Sequence, residues 1–295
     1  MKAYACIDIG GTAVKYGVLD QKLNIIGKWE TPSRAAEGKE ALVKQIREIA
    51  AFLFEQGQTI CGIAISSAGV VDSERACILH ANESIPGYTG TDWKEELACF
   101  GVPVEADNDV NCAGLCEYET GAGQGSRSML MVTIGTGIGG CFVENGHLMH
   151  GHSSSACEIG YIPVDGMQFQ HQASTTALVR DVAALKKEDP DQWNGRRIFE
   201  LAEEGDPDCI GAIERLCASI AKGVAAVCFV LNPETVVLGG GIMAQEKKLR
   251  KPIEMYFEQY TIPLIARNTR IEFAKSRNDA GMKGALLHFL KRQGR

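Results

Sequence analysis

A β-strand, a glycine turn and a second β-strand occur twice in this chain, and no other pattern in it limits the possible folds so severely. The first copy is an apolar, β-prone run over residues 3–9, interrupted only by Asp8. Gly10, Gly11 and Thr12 follow, and a second strand begins at Val14. The other copy is a strand over 129–134, the glycine turn GTGIGG over 135–140, a strand over 141–144 and a turn at Asn145-Gly146. The repetition predicts two related lobes, each offering one glycine turn to a shared cleft. Glycines at 10 and 11 remove the Cβ that would keep backbone N–H groups away from an anion. Thr12 adds a hydroxyl donor, and Asp8 stands where it can hold a hydrated cation near that anion. The competing reading of the same residues is an ordinary hairpin.

The chain of 295 residues is long enough for two lobes, each with its own core. Its net charge is −7, with 30 Lys and Arg against 37 Asp and Glu and no long run of either sign. That argues against nucleic acid as a partner, because phosphate backbones need clustered cations. The chain starts MKAYACIDIGG, straight into a strand, and no apolar run reaches transmembrane length, so neither a signal peptide nor a membrane partner is expected. Eleven cysteines are scattered without a CxxC pair, and several (Cys6, Cys61, Cys228) lie in apolar runs. They read as reduced, buried thiols of a cytoplasmic protein. Cys112 and Cys116, four apart on a helix, are a weak metal signal.

Between the two copies, a third strand spans 23–30 and an amphipathic helix spans 38–56, with Leu42, Ile46, Ile49, Ala50 and Leu53 on one stripe. A buried strand over 59–66 ends in the small-residue turn Ser67-Ala68-Gly69, which a ligand could approach. Residues 80–91 read as irregular. A strand over 102–106 delivers the chain to Asp107-Asn108-Asp109 and a helix over 110–120, and 121–125 is the expected border between lobes. Later, helices span 175–187, 196–204 and 207–231. A buried strand over 235–238 runs into Gly239-Gly240-Gly241, and helix, strand and helix close the chain over 245–260, 270–274 and 279–291. Alternating elements define an α/β protein. Residues 135–140 formally match GxGxxG, but a strand rather than a helix follows, and no GxxxxGK[ST] occurs. Three glycine turns, each after a strand, instead suit a nucleotide held between lobes. The first two would take phosphates and the third would lie close to adenine or ribose.

In this order the segments DIGGTAVKYG, EADNDVNCAGLCEYETGAG, VTIGTGIGGCFVENGHLMHG, ACEIGY and VVLGGGI resemble those of the ROK (repressor, open reading frame, kinase) family of sugar kinases over nearly the whole length. The resemblance implies the two-lobed actin-like (ribonuclease H-like) ATPase fold. The N-terminal lobe would span 1–120 and the C-terminal lobe 121–278, with the closing helix, 279–295, returning to the first. It implies ATP and Mg²⁺ as cofactors, a small-molecule sugar as substrate and, as in many members, a homodimer. The implied reaction is phosphorylation of a hexose or hexose derivative at O6, with N-acetylmannosamine and β-glucosides as alternatives to a glucose-like sugar and a non-catalytic sensor as the weaker rival. The repressor branch carries a helix-turn-helix before the first strand, which is not expected here. A dehydrogenase is the third class, separable by ATP-versus-NAD binding.

Asp109 is the expected catalytic base, because a kinase must take the proton of the attacking hydroxyl while positioning it in line. An N-cap is the competing role for that residue, and the family match of Asn108-Asp109 to a sugar-binding pair decides for the base. Asp107 is expected to be structural. The match also assigns Glu158, Ser67 and Gly69 to the sugar, with Asn82 near its pocket. Nucleotide contacts fall to Asp8, Gly10, Gly11, Thr12 and Lys15, and to Thr133, Gly135, Thr136, Gly137, Gly240 and Gly241. Asp8 would act on Mg²⁺ through water. Trp29, Trp93 and Trp193 read as packing residues. One departure stands out. Zinc-containing relatives carry a histidine where this chain has Tyr161, then paired cysteines and a sugar-binding glutamate, whereas this chain reads YIPVDGMQFQHQAST. Folding without structural zinc is therefore expected, with residues 161–174 held by Ile162, Met167 and Phe169. Gln170, His171 or Gln172 stands near the missing glutamate.

Overall fold

The computed structural model describes residues 2–294. In chain order the elements are β1 (Ala3–Ile9), β2 (Ala13–Asp20), β3 (Ile25–Pro32), α1 (Lys39–Phe54), β4 (Ile60–Ser67), β5 (Val70–Asp72), β6 (Cys77–His80), α2 (Trp93–Glu96), β7 (Val104–Asn108) and α3 (Asp109–Thr120). There follow β8 (Ser128–Ile134), β9 (Ile138–Glu144), β10 (His147–Leu148), β11 (Pro163–Val164), β12 (Met167–Gln168), α4 (Gln170–Ala173), α5 (Thr175–Lys186), α6 (Gly195–Glu203) and α7 (Pro207–Leu231). The last are β13 (Thr235–Gly239), α8 (Glu246–Tyr260), α9 (Pro263–Asn268), β14 (Arg270–Phe273) and α10 (Ala280–Arg292). Two compact units result. One comprises Met1–Thr120, Leu148–Ala156 and Asn278–Arg295, the other Gly121–His147 and Cys157–Arg277.

In the first unit a five-stranded sheet runs β3-β2-β1-β4-β7, with β2 antiparallel to β1 and β3, and β4 and β7 parallel to β1. β1 is buried on both faces, which explains its near-continuous apolar run, while edge strand β3 alternates between half-buried and exposed positions. On one face α1 buries the predicted stripe, Leu42, Ile46, Ile49, Ala50 and Leu53, together with Val43. On the other, α10 lies against α3 and the sheet through Met282, Ala285, Leu286 and Phe289. Glycine makes that approach possible: a Cβ on Gly284 would sit 1.7 Å from the Cys112 carbonyl oxygen, and one on Gly62 would sit 2.1 Å from the Phe289 ring. Burying Phe289 completely stabilises the unit by roughly 1.5–3 kcal/mol.

The second unit repeats the plan, with sheet order β10-β9-β8-β13-β14, β9 antiparallel to β8, and β13 and β14 parallel to it. Asn145 and Gly146 both have positive φ, 50° and 81°, as a tight two-residue hairpin turn between β9 and β10 requires. The core centres on α7, which Asp206 caps by accepting from the N–H groups of Asp208 and Cys209, with Pro207 at the first helical position. β5 and β6 form a hairpin in a stretch for which the sequence suggests no element. One expectation needs correcting. Of the three residues expected to hold 161–174, Phe169 is fully buried against Gly223 and Ile162 packs on the core, but Met167, on the short β11–β12 hairpin, is half exposed. All eleven cysteines are free thiols. Among the described residues no helix is long and apolar enough to cross a membrane.

Candidate active site

Strand register in the first unit sets one polar row at the strand ends. Asp8 pairs with Lys15 on β2 and Ser66 on β4, and Ser66 pairs with Asp107 on β7. In the next position Ile9 pairs with Ser67, and Ser67 with Asn108. These are the carboxyl ends of the three parallel strands, where α/β sheets bind ligands. The Ser66 hydroxyl donates to Asp8 Oδ1 at 2.6 Å. Burial pushes the Asp8 carboxyl above its ordinary value, against the pull of the Ser66 hydrogen bond and the Lys15 charge. A desolvated acid with one hydroxyl donor and one lysine nearby still has acceptor capacity for the water shell of a divalent cation. Ser66 carried no signal in sequence beyond its place before the Ser67-Ala68-Gly69 turn.

The turn after β1 is closed by the Gly10 N–H donating to the Ala13 carbonyl at 3.0 Å, and a Cβ on Gly10 would lie 2.8 Å from that oxygen. Gly11 differs, since a Cβ there would meet nothing within 4 Å. Gly11 and Thr12 are both exposed. The fold itself makes no demand for glycine at 11, so the bare backbone fits a ligand that approaches it. Asn82 is exposed, its side-chain oxygen accepting from the N–H and hydroxyl of Ser84.

At the β7–α3 junction the helix cap is the residue before Asp109. Asn108 Oδ1 accepts from the N–H groups of Val110 at 2.8 Å and Asn111 at 3.1 Å, so Asn108 caps α3. Its Nδ2 donates to the Gly69 carbonyl at 2.8 Å. Asp109 is the first residue of the helix, half-buried, with Oδ1 2.9 Å from the Val110 N–H. Gly69 has φ of +96° and would carry a Cβ 2.7 Å from the His80 carbonyl, so the turn as built needs glycine there. Ser67 is fully buried, its hydroxyl 2.6 Å from that of Tyr88. Asp107, expected to be structural, is a hub: its carboxylate is fully buried and accepts from the Asn108 N–H, from Asn111 Nδ2 and from His150.

In the second unit the 135–137 turn closes with the Gly135 N–H on the Gly137 carbonyl at 3.0 Å. The start of α5 secures it, through the Thr175 N–H on the Gly135 carbonyl and the Thr176 hydroxyl on the Thr136 carbonyl, both 2.8 Å. Thr133 lies across from Gly239, so the third glycine run meets the end of β8. Gly240 has φ of +102° and would carry a Cβ 2.1 Å from the Ile134 carbonyl, whereas Gly135 and Gly241 face open space. The register thus sets Gly239 opposite Thr133 and Gly240 against Ile134, with backbone bare of neighbours at 135 and 241. Glu158 is exposed, two residues before Gly160, which packs against the Ile138 carbonyl. Of the three candidates near the missing glutamate, Gln170 is half-buried against Gly137 and Gly160, Gln172 donates to the Val164 carbonyl, and His171 is exposed. Trp93 and Trp193 are buried, and Trp29 stacks on Tyr16. Among the described residues no group of three or more His, Cys, Asp or Glu side chains is arranged to hold a metal ion.

Two sheets of the same order, each with a glycine turn after its first strand, define the actin-like fold. The model of the ROK family matches residues 4–292, and the chain belongs to that family as an ATP-dependent sugar kinase. It is 31% identical to a β-glucoside kinase of Listeria monocytogenes over 300 residues, covering 99% of this chain and 98% of that one. Among solved structures it is similar to a Listeria monocytogenes protein provisionally named an N-acetylmannosamine kinase, with TM-score 0.88, 30% identity and 99% of both chains covered. A glucokinase from Streptomyces griseus in complex with glucose and AMPPNP follows, with TM-score 0.81 and 27% identity over 96% of this chain and 98% of that one.

Proposed function

We propose that this chain transfers the γ-phosphoryl group of ATP to O6 of a hexose or hexose derivative, with glucose-like sugars first. The carrying observation is the division of labour at the β7–α3 junction. Asn108 caps the helix and Asp109 is its first residue, half-buried beside the cap, where its carboxylate would take the proton of the 6-hydroxyl. As that proton leaves, the sugar oxygen bonds to the γ-phosphorus, the bond to the β,γ-bridging oxygen breaks, and ADP departs. Asn108, Ser67 and Gly69 would shape the sugar side of the first unit, and Glu158 would accept a sugar hydroxyl. In the first unit residues 10–12 and Lys15 would hold phosphate, with Asp8 on Mg²⁺ through water. In the second, Thr133 and residues 135–137 would hold phosphate, and Gly240 and Gly241 the nucleoside. ATP supplies the phosphoryl group and Mg²⁺ neutralises spreading charge. A cytoplasmic homodimer is part of the same reading.

A second reading, a β-glucoside or N-acetylmannosamine as substrate, is favoured by one observation. Gln170, a neutral amide, occupies the position beside Gly137 and Gly160, in the segment where zinc-containing relatives carry a glutamate. A neutral group there would suit a sugar substituted at position 1 or 2. ADP release measured across glucose, β-glucosides, N-acetylmannosamine, pentoses and non-sugar alcohols tests both. Turnover of a hexose is expected, and turnover confined to pentoses or non-sugar alcohols would refute the proposal. Sugar binding without any ADP release would make the protein a sensor.

A further inference from the structure

Residues 148–156 leave the second unit's chain path, join the first unit and return, and His150 ties them there. Its Nε2 lies 2.8 Å from Asp107 Oδ2, while Asp107 Oδ1 accepts from the Asn108 N–H at 2.7 Å and from Asn111 Nδ2 at 2.9 Å. One buried carboxylate therefore joins three things: the 148–156 segment, the backbone of Asn108 and the first turn of α3. From α10, His288 Nδ1 approaches the same oxygen at 3.3 Å, and the two imidazole centroids are 6.4 Å apart.

We propose that His150 is a positioning residue that makes the Asn108-Asp109 turn sensitive to pH: as an imidazolium it fixes Asp107, and on losing its proton it releases the turn. The inference rests on reading that turn as the sugar site. An imidazolium adds a full charge pair to the hydrogen bond that a neutral imidazole N–H makes to the same carboxylate, so deprotonation weakens the tie without removing any atom. Asp107 is completely buried and takes no compensating bond from solvent, whereas the His150 side chain is 26% exposed and can exchange its proton. The groups facing the pair are known on every side. β7 contributes Glu105, α10 contributes His288 and Arg292, and α3 contributes Asn111 and the Cys112 thiol. The hydrogen bond that the ring donates to Asp107 outweighs burial and the Arg292 charge and raises the His150 pKa above its ordinary 6.5, and the Leu148 backbone also favours the protonated ring. The switch therefore operates on the alkaline side of that value.

The test compares wild type, His150→Gln and His150→Ala between pH 6 and 9, by ligand-free melting temperature and by kcat/KM for the accepted sugar and for ATP. Glutamine keeps a neutral N–H donor and cannot titrate. Wild-type kcat/KM for sugar is expected to fall about tenfold as pH rises through the His150 pKa, equivalent to about 1.4 kcal/mol. His150→Gln should lack that fall, His150→Ala should be low throughout, and KM for ATP should move in neither. The melting difference between wild type and His150→Gln should shrink toward pH 9. A difference that does not change with pH overturns the proposal, as do identical sugar profiles in wild type and His150→Gln. A pH-dependent melting difference in a protein that phosphorylates no sugar on the panel overturns the reading of the site instead.

Discussion

A Cβ built on Gly281 would lie 2.3 Å from the carboxyl carbon of Asp8, so the first turn of α10 rests directly on the acid at the end of β1. Only a missing side chain allows this. Gly281→Ala gains about 1 kcal/mol of helix propensity but forces helix and acid apart, and overpacking of this kind costs about 1–3 kcal/mol. The expected result is a modest loss of melting temperature with a larger loss of ATP-dependent turnover, partly restored by raising Mg²⁺. Unchanged turnover at low Mg²⁺ would show that the placement of Asp8 does not matter to the reaction.

Gly11 gives the opposite expectation for stability. Because a Cβ there meets nothing within 4 Å, Gly11→Val should melt close to wild type. It should nevertheless raise KM for ATP about tenfold or more, by obstructing the approach of phosphate to backbone N–H groups. An unchanged KM for ATP would make the turn an ordinary hairpin.

The two histidines at Asp107 should oppose each other in the stability of the protein against pH. His150 has a raised pKa, so its contribution is complete below about 6.5 and is lost as pH rises through the higher folded value. Burial depresses the His288 pKa, against the Asp107 charge. Below about 6.5 the unfolded chain therefore binds a proton that folded His288 refuses, and stability falls with pH until the lower folded value is passed. Among the described residues its Nε2 has no hydrogen-bond partner. His288→Gln should flatten the loss of melting temperature between pH 6.5 and 5 relative to wild type. A loss equally steep in both would contradict the assignment.

Much of this was legible in the residues. The duplicated strand, glycine turn and strand became two sheets of identical order, because apolar alternation and glycine placement act locally. The α1 stripe followed for the same reason. What stayed hidden depends on contacts distant in sequence. Nothing near Asp107 announces that His150 and His288 converge on it, and nothing near Asp8 announces Gly281. Asp109 was the cap candidate in sequence, but α3 begins at Asp109 itself, one residue earlier than expected, which makes Asn108 the cap. Met167 looked like a core residue because it is apolar, but it is half exposed although its cross-strand partner Val164 is buried.

The central claim is that Asp109 is the base. Asp109→Asn preserves shape and the cap at Asn108 while removing the proton acceptor. Steady-state kinetics on the sugar that the panel identifies, with sugar binding measured separately by calorimetry, should show kcat lowered about 10²–10⁴-fold with sugar affinity changed only modestly. Near-normal kcat in Asp109→Asn, with the protein folded and binding sugar, would contradict the account.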